Sequence, residues 1–298
     1  MFVKAIETVT QFTRPFKTIT RAYGKNEISP GCATFIIVNE EGWILTCKHV
    51  AEEIKIASQV NRQYSNFKAE LSAISPEDEN YKIKLEALEE KYHYDKKKNV
   101  RIQQLNFLER VVDKSTGFRT ILHPTYDIAL IHIEGYEKVL CDTFPVFAKD
   151  GFALKQGMSL CRLGYPYPEF TDFAYNKEKD TIEWTNDGRT GTPLFPIDGI
   201  LTRFHVDANN RRFGVELSTP GLKGQSGGPL FDAHGLIYGI QSSTMSLPLG
   251  FNMENVEVIV DGIKKKVNDY SFIHLGVCIH VDVIKEFMDA NHVEYQVG

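Results

Sequence analysis

The stretch that most constrains this chain is Lys223-Gly224-Gln225-Ser226-Gly227-Gly228-Pro229-Leu230-Phe231. It sets one serine between glycines on a turn and then runs into apolar residues, so the hydroxyl is exposed while the backbone holds it. A serine that attacks a carbonyl creates an oxyanion, and that charge must be met by preorganised N–H donors where water is excluded. Gly224 and Ser226 can aim their N–H groups at one point if Gly224 takes a backbone shape that side chains disfavour. Gly227 and Gly228 let neighbouring chain and substrate pass close by. Alone, a glycine-rich turn before a strand is only a turn. The functional reading needs a base and an acid to orient it.

Two upstream stretches supply candidates. Gly42-Trp43-Ile44-Leu45-Thr46-Cys47-Lys48-His49 is an apolar strand ending on a histidine, and Tyr126-Asp127-Ile128-Ala129-Leu130-Ile131-His132-Ile133 is an apolar strand opened by an aspartate. A carboxylate in such a setting needs a partner, because an unpaired buried charge is costly. Histidine, aspartate and serine in that order, each at the mouth of a strand, is the chain order of the chymotrypsin-type triad. On these residues the chain resembles a chymotrypsin-fold, trypsin-like serine peptidase, closest to the HtrA/Deg-type core. The resemblance extends through Gly31-Cys32-Ala33-Thr34-Phe35-Ile36-Ile37, Cys161-Arg162-Leu163-Gly164-Tyr165-Pro166, Asp198-Gly199-Ile200-Leu201-Thr202, Leu236 to Ser243 and Leu275-Gly276-Val277-Cys278-Ile279.

The resemblance implies an all-β fold of two packed six-stranded antiparallel β-barrels, with a C-terminal helix. The expected division is an N-terminal segment over 1–24, a first barrel over 25–147 with an insertion at about 53–115, and a second barrel over 148–298. It also implies roles. Ser226 would be the nucleophile, His49 its general base and Asp127 the group that fixes the tautomer of His49, with Ser242 supporting the aspartate. Gly224 and Ser226 would form the oxyanion hole. Pro220, Gln241, Ser243, Thr244, Gly276 and Cys278 would line the substrate pocket. None of these is an acid that would select lysine or arginine, so a small or medium apolar residue is expected before the cleaved bond, and Thr244 argues further against large aromatics. Gln225 stands where secreted digestive relatives carry an aspartate for a new amino terminus, so zymogen cleavage is not expected. The oxyanion turn would be competent as made or ordered by a regulatory protein partner.

Composition bounds the alternatives. The chain has 298 residues, 42% hydrophobic and 24% charged, enough for a sizeable core. Its formal net charge of -5 provides no global basic field, so neither nucleic acid nor an anionic membrane is an expected partner. Five cysteines at irregular positions suggest neither a disulfide framework nor a zinc site, and no metal or cofactor is expected. The first residues lack a signal-peptide pattern and no run is apolar enough to span a bilayer, so the expectation is a cytoplasmic protein. No PDZ-like module is expected after the terminal helix. His123, His132, His205, His234, His274 and His280 lack triad partners in the sequence pattern and read as core or surface residues.

Several local expectations accompany this reading. Val3 to Phe16 should begin as an amphipathic helix that Pro15 interrupts, and Val50 to Ile56 should form a short helical turn after His49. Ser75-Pro76-Glu77-Asp78 has the cap, proline and acids of a helix start, and the charged segment Glu77 to Lys98 reads as a solvated helix or hairpin decorating the first barrel, with a docking arm for a substrate or regulator as the functional alternative. Glu169 to Asp187 reads as loops around the groove, Ser246 to Val267 as an expanded loop, and Asp282 as the cap of the last helix. Three functions fit: an endopeptidase acting on protein or peptide substrates under partner or loop control, a peptidase-fold scaffold with little turnover, or an esterase using the same site.

Overall fold

The protein is described by a computed structural model over residues 2–260 and 263–298. Helix α1 (Val3–Thr10) buries Ala5 and Val9 and ends at Gln11, well before Pro15. Pro15 instead lies near the start of strand β1 (Thr13–Ala22). A proline has no N–H for a sheet, and at this position the ladder to only one neighbour has begun: Pro15 is opposite Thr34, while pairing on the other edge starts at Phe16.

Strands β2 (Ile28–Ile37) and β3 (Trp43–Thr46) follow as an antiparallel hairpin around Gly42, whose φ of +73° suits a residue without a side chain. After β3 come α2 (Lys48–Ser72) and α3 (Tyr81–Lys91), then β4 (Arg101–Leu108), β5 (Gly117–Leu122) and β6 (Ala129–Glu134). The first antiparallel sheet has the order β4-β1-β2-β3-β6-β5. The short turn expected after His49 is the beginning of a 25-residue helix. That length is explained by a small aromatic core of its own, in which Tyr64 and Phe67 of α2 meet Tyr23, Leu88, Tyr94 and Ile102. The charged residues between them face water, so the insertion is amphipathic and seated on β1 and β4.

The second half contains β7 (Val146–Phe147), β8 (Ser159–Gly164), β9 (Phe173–Asn176), β10 (Thr181–Trp184), β11 (Phe195–Val206), β12 (Arg212–Leu217), β13 (Pro229–Phe231), β14 (Ile237–Val260), β15 (Ile263–His280), α4 (Val281–Asp289) and β16 (Gln296–Val297). Pairing runs β13-β8-β11-β12-β15-β14 and returns from β14 to β13, which closes a six-stranded antiparallel barrel. The architecture is the chymotrypsin-like pair of six-stranded antiparallel units implied by the sequence. The apolar strand faces share one continuous core that includes Phe35, Leu45, Leu130, Leu163, Leu230 and Ile279.

Three further segments differ from their sequence reading. Residues 169–187 do not form free loops: β9 and β10 make a hairpin whose Ile182, with Phe170, packs on Ile19 of the first sheet. Its turn residue Asp180 accepts hydrogen bonds from Arg21 at 2.6 Å, Tyr64 at 2.7 Å and Tyr175 at 2.7 Å. The hairpin therefore ties the second half to both β1 and the insertion. The expected loop at 246–267 is a two-stranded ribbon formed by the outer parts of β14 and β15, with residues 261–262 outside the described residues. The cap of α4 is His280, whose ring accepts from the Asp282 amide, while Asp282 lies in the first turn. Among the described residues no helix is long and apolar enough to cross a membrane.

Asp180→Ala should lower unfolding stability by about 2 kcal/mol, less than for a fully buried pair because Asp180 is partly exposed, since it leaves the buried Arg21 guanidinium with only neutral acceptors. Urea denaturation checks this, and Asp180→Asn, which keeps an acceptor, should lose less.

Candidate active site

The Ser226 turn lies between β12 and β13 and is held from the first sheet by a single residue. Thr34 of β2 donates its backbone N–H to Ser226 O at 2.9 Å and its hydroxyl to Gly224 O at 2.8 Å. The same hydroxyl accepts the Tyr165 N–H at 3.1 Å, and Thr34 O accepts the Thr46 hydroxyl at 2.8 Å. Contact this close requires glycine. A Cβ on Gly227, whose φ is +85°, would sit 2.1 Å from Thr34 O, and one on Gly228 would sit 2.0 Å from Leu163 O. Gly224 has a φ of +99°, the shape expected of it.

Gln225 braces the turn from inside the protein. It is fully buried; its side-chain oxygen accepts the Leu222 N–H at 3.0 Å and its amide donates to Phe195 O at 3.1 Å. A neutral amide thus fills the position where a charged side chain would need a counter-ion. Among the described residues, the N–H groups of Gly224 and Ser226 have no intramolecular acceptor. Two amides without a protein acceptor on one tight turn are what an oxyanion requires.

His49 and Asp127 meet because β3 and β6 pair, with Thr46 opposite Ala129, so the residues just beyond that pair emerge together. His49 Nδ1 lies 2.9 Å from one Asp127 oxygen and 3.0 Å from the other, and the His49 backbone N–H donates to the same carboxylate at 3.1 Å. Ser242 adds its hydroxyl to Asp127 at 2.6 Å. Burial alone would raise the Asp127 carboxyl, but the His49 and Ser242 hydrogen bonds outweigh it and bring it down to about 2. The hydrogen bond to Asp127 in turn raises the His49 imidazole above its ordinary 6.5, against partial desolvation. Ser226 Oγ donates to Ser242 O at 3.4 Å, and no hydrogen bond joins it to His49 in this structure. A cleft of about 500 Å³ opens beside these groups and is lined by His49, Ser226, Gly224, Cys32, Glu53 and Arg101.

Cys47, His49 and Asp127 also place donor atoms within 4.8 Å of one another. Their chemistry does not favour a metal. The Cys47 thiol is fully buried, and desolvation together with the nearby Asp127 charge pushes it well above its usual range, so it holds its proton and donates to Gln241 O at 3.1 Å. The Nδ1 atom of His49 is already committed to Asp127.

The residues expected to line a specificity pocket gather around one that the sequence reading passed over. Arg162 of β8 is completely buried and donates to Gln241 Oε1 at 2.7 Å, to Thr219 Oγ1 at 2.6 Å and to the carbonyls of Thr219 and Pro220 at 2.9 and 3.1 Å. Its guanidinium fills the space above Gly276, where a Cβ would come within 1.8 Å of Nη1. Gln241 also receives the Cys278 thiol at 3.5 Å and donates to Ser243 O at 2.7 Å, while the Thr244 hydroxyl donates to Gly221 O at 2.7 Å. All six expected pocket residues are therefore in one neighbourhood, around a buried guanidinium. The signal was visible in Leu160-Cys161-Arg162-Leu163-Gly164, an arginine inside an otherwise apolar strand. Other histidines serve local structure: His123 accepts the Thr125 and Tyr126 amides, and His280 caps α4.

A family model described as the trypsin-like peptidase domain matches residues 33–240, a span containing His49, Asp127 and Ser226. The chain belongs to this trypsin-like peptidase family, whose class is that of serine endopeptidases. The HtrA-type protease AlgW with decapeptide aligns with 97% of this chain at 12% identity and a TM-score of 0.49. An AlgW variant, also with decapeptide, aligns with 97% at 12% identity and a TM-score of 0.47. This chain spans 67% and 66% of those two chains. No curated protein matches it.

An NMR titration of His49 should give a pKa above 6.5 that moves back toward the ordinary value in Asp127→Asn, because the raising interaction comes first from that carboxylate.

Proposed function

We propose that this chain cleaves peptide bonds in protein substrates through an acyl-enzyme on Ser226. The observation that carries the reading is the Asp127–His49 pair, supported by Ser242, beside a serine turn with two unpartnered amides. Ser226 Oγ attacks the scissile carbonyl, forming a C–O bond as its proton passes to His49 Nε2. The N–H groups of Gly224 and Ser226 receive the developing oxyanion. Collapse of the intermediate breaks the C–N bond, and His49 returns the proton to the leaving amine. Water then attacks the acyl group by the same route in reverse. Asp127 keeps Nδ1–H oriented and stabilises the imidazolium.

Control by a partner or by loops is supported by the position of the nucleophile. Its hydroxyl faces Ser242 O rather than His49, so rotation of one side chain completes the triad. A substrate or regulatory protein that favours the rotated state would raise activity by shifting that population.

The direct test is active-site labelling with a fluorophosphonate followed by intact mass. One label per wild-type chain and none in Ser226→Ala supports the reading; absence of labelling on folded protein, alone or with cell lysate, contradicts it. Peptidase activity should fall as pH drops through the raised His49 value, with the limb above pH 6.5, because only neutral imidazole can take the serine proton. Ser242→Ala should lower kcat roughly ten- to hundredfold, the worth of a hydrogen bond to a charged group of about 1.5–3 kcal/mol. Asp127→Asn should lower it by about 10⁴-fold through the wrong histidine tautomer.

A further inference from the structure

We infer that the cleft beside Ser226 reads the amine side of the cleaved bond and favours an acidic residue at one of the first two positions there, with Lys223 as the selecting side chain. The inference rests on the serine peptidase reading and concerns the same site.

Which half of a substrate enters the cleft follows from the proton. His49 must come within about 2.6–3.2 Å of the leaving nitrogen to protonate it, so the amine side lies against the imidazole. The cleft is lined by His49, Val50 and Glu53 from the first two turns of α2, and by Pro166, Lys223 and Gly224 from the second half. One face of the β1–β2 pair lines it too, with Phe16 opposite Ala33, Thr18 opposite Gly31 and Thr20 opposite Ser29. That row starts beside the nucleophile, because Thr34, next after Ala33, donates its N–H to Ser226 O. From Ala33 to Ser29 a strand advances about 13 Å, room for roughly four residues of an extended chain. The leaving segment thus has a track that begins at the imidazole and follows β2.

The charges along this track leave one without an answer. Apart from His49, the charged lining residues are Glu53, Arg101 and Lys223. Glu53 and Arg101 pair at 2.6 Å, and the Gln104 amide donates to the same carboxylate oxygen at 3.2 Å, so these two neutralise each other. Lys223 is exposed, and among the described residues its ammonium has no carboxylate partner. Its backbone is held in place: Lys223 and Gly224 are the central residues of a turn closed by the Gln225 N–H on Leu222 O at 2.9 Å and braced by Gln225 Oε1 on the Leu222 N–H at 3.0 Å. The cation is therefore rooted one residue from a proposed oxyanion donor, where the leaving segment begins. A carboxylate there gains a counter-charge and a donor. A lysine or arginine is repelled, and an alkyl side chain leaves the ammonium unanswered. Because Lys223 is exposed, the preference is several-fold, the scale of a surface ion pair, and it weakens with salt.

The test needs no knowledge of the acyl side. Acetyl-enzyme formed from 4-nitrophenyl acetate is offered tripeptide amides whose first or second residue is Asp, Asn, Leu or Lys and whose other residues are Ala. The peptide nitrogen attacks the acetyl carbonyl, the new C–N bond forms, the ester bond to Ser226 Oγ breaks, and the nitrogen's proton passes through His49 to that oxygen. This is the leaving step in reverse, so the peptide occupies the amine side. Mass spectrometry reads acetyl-peptide against acetate, and Ser226→Ala supplies the uncatalysed background. At low salt an Asp peptide should be acetylated about fivefold faster than its Asn counterpart, with Lys slowest. The advantage should shrink at about 1 M salt, where charges are screened beyond about 3 Å. Lys223→Ala should abolish it, Lys223→Arg should keep it, and Lys223→Glu should turn the preference toward Lys. Equal acetylation of Asp and Asn peptides in the wild type, or an advantage unchanged in Lys223→Ala, overturns this inference and leaves the peptidase reading intact. Should no acetyl-enzyme form on folded protein, the peptidase reading fails instead. Binding of the same peptides to the wild-type chain, followed by NMR shifts of the Lys223 and Gly224 amides, then reads the cleft directly: tighter binding of Asp than Asn that is lost in Lys223→Ala supports the acidic preference, and equal binding overturns it.

Discussion

The site depends on Thr34. One threonine joins the nucleophile turn to the first sheet through its backbone N–H on Ser226 O and its hydroxyl on Gly224 O, and joins the second sheet through Tyr165. His49 and Asp127, the proposed base and acid, come from the first sheet, and Ser226, the proposed nucleophile, comes from the second. Their relation is therefore set where the two halves touch, and the touch is a set of short hydrogen bonds in a buried setting, where an unmade bond costs about 1–3 kcal/mol. The glycines around Ser226 follow from that clamp, because no side chain fits between Gly227 and Thr34 O. In the proposed mechanism, precision is a matter of how the two halves pack as much as of the three side chains themselves.

The remaining architecture supports this contact from outside. The β9–β10 hairpin crosses from the second half to β1, and Asp180 at its tip engages Arg21 and Tyr64, the latter on the inserted helix. The insertion thus does more than decorate the first sheet, since it shares an anchoring residue with a segment of the other half. His49 lies in the first turn of the helix that carries Tyr64, so the proposed base and this anchor are on one element.

Much of this was legible in the sequence because the chemistry demands particular residues at particular strand ends. Ser226 among glycines, His49 after an apolar strand and Asp127 before another needed only local pattern and chain order, and the structure brings the three stretches together. What could not be read depended on contacts distant in sequence. Thr34 looked like one small residue in Gly31–Phe35, and its importance appears only when Ser226, 192 positions later, lies against it. Arg162 sits in an apolar strand, and alternation marks which face a residue occupies but not which distant carbonyls and amides gather around it. Helix α2 exceeded its expected length because its stripe packs on Tyr23 and Ile102, residues outside the helix. The ribbon of β14 and β15 was read as a loop since its cross-strand partners lie on both sides of the turn.

The measurement that bears most directly on the central claim is the pre-steady-state hydrolysis of 4-nitrophenyl acetate, a small ester that needs no specificity pocket. A serine nucleophile activated by His49 and met by the Gly224 and Ser226 amides predicts a rapid burst of nitrophenol approaching one equivalent per chain, followed by slower turnover, with both phases absent from Ser226→Ala. Hydrolysis without a burst, at equal rate in Ser226→Ala, would contradict covalent catalysis at this serine.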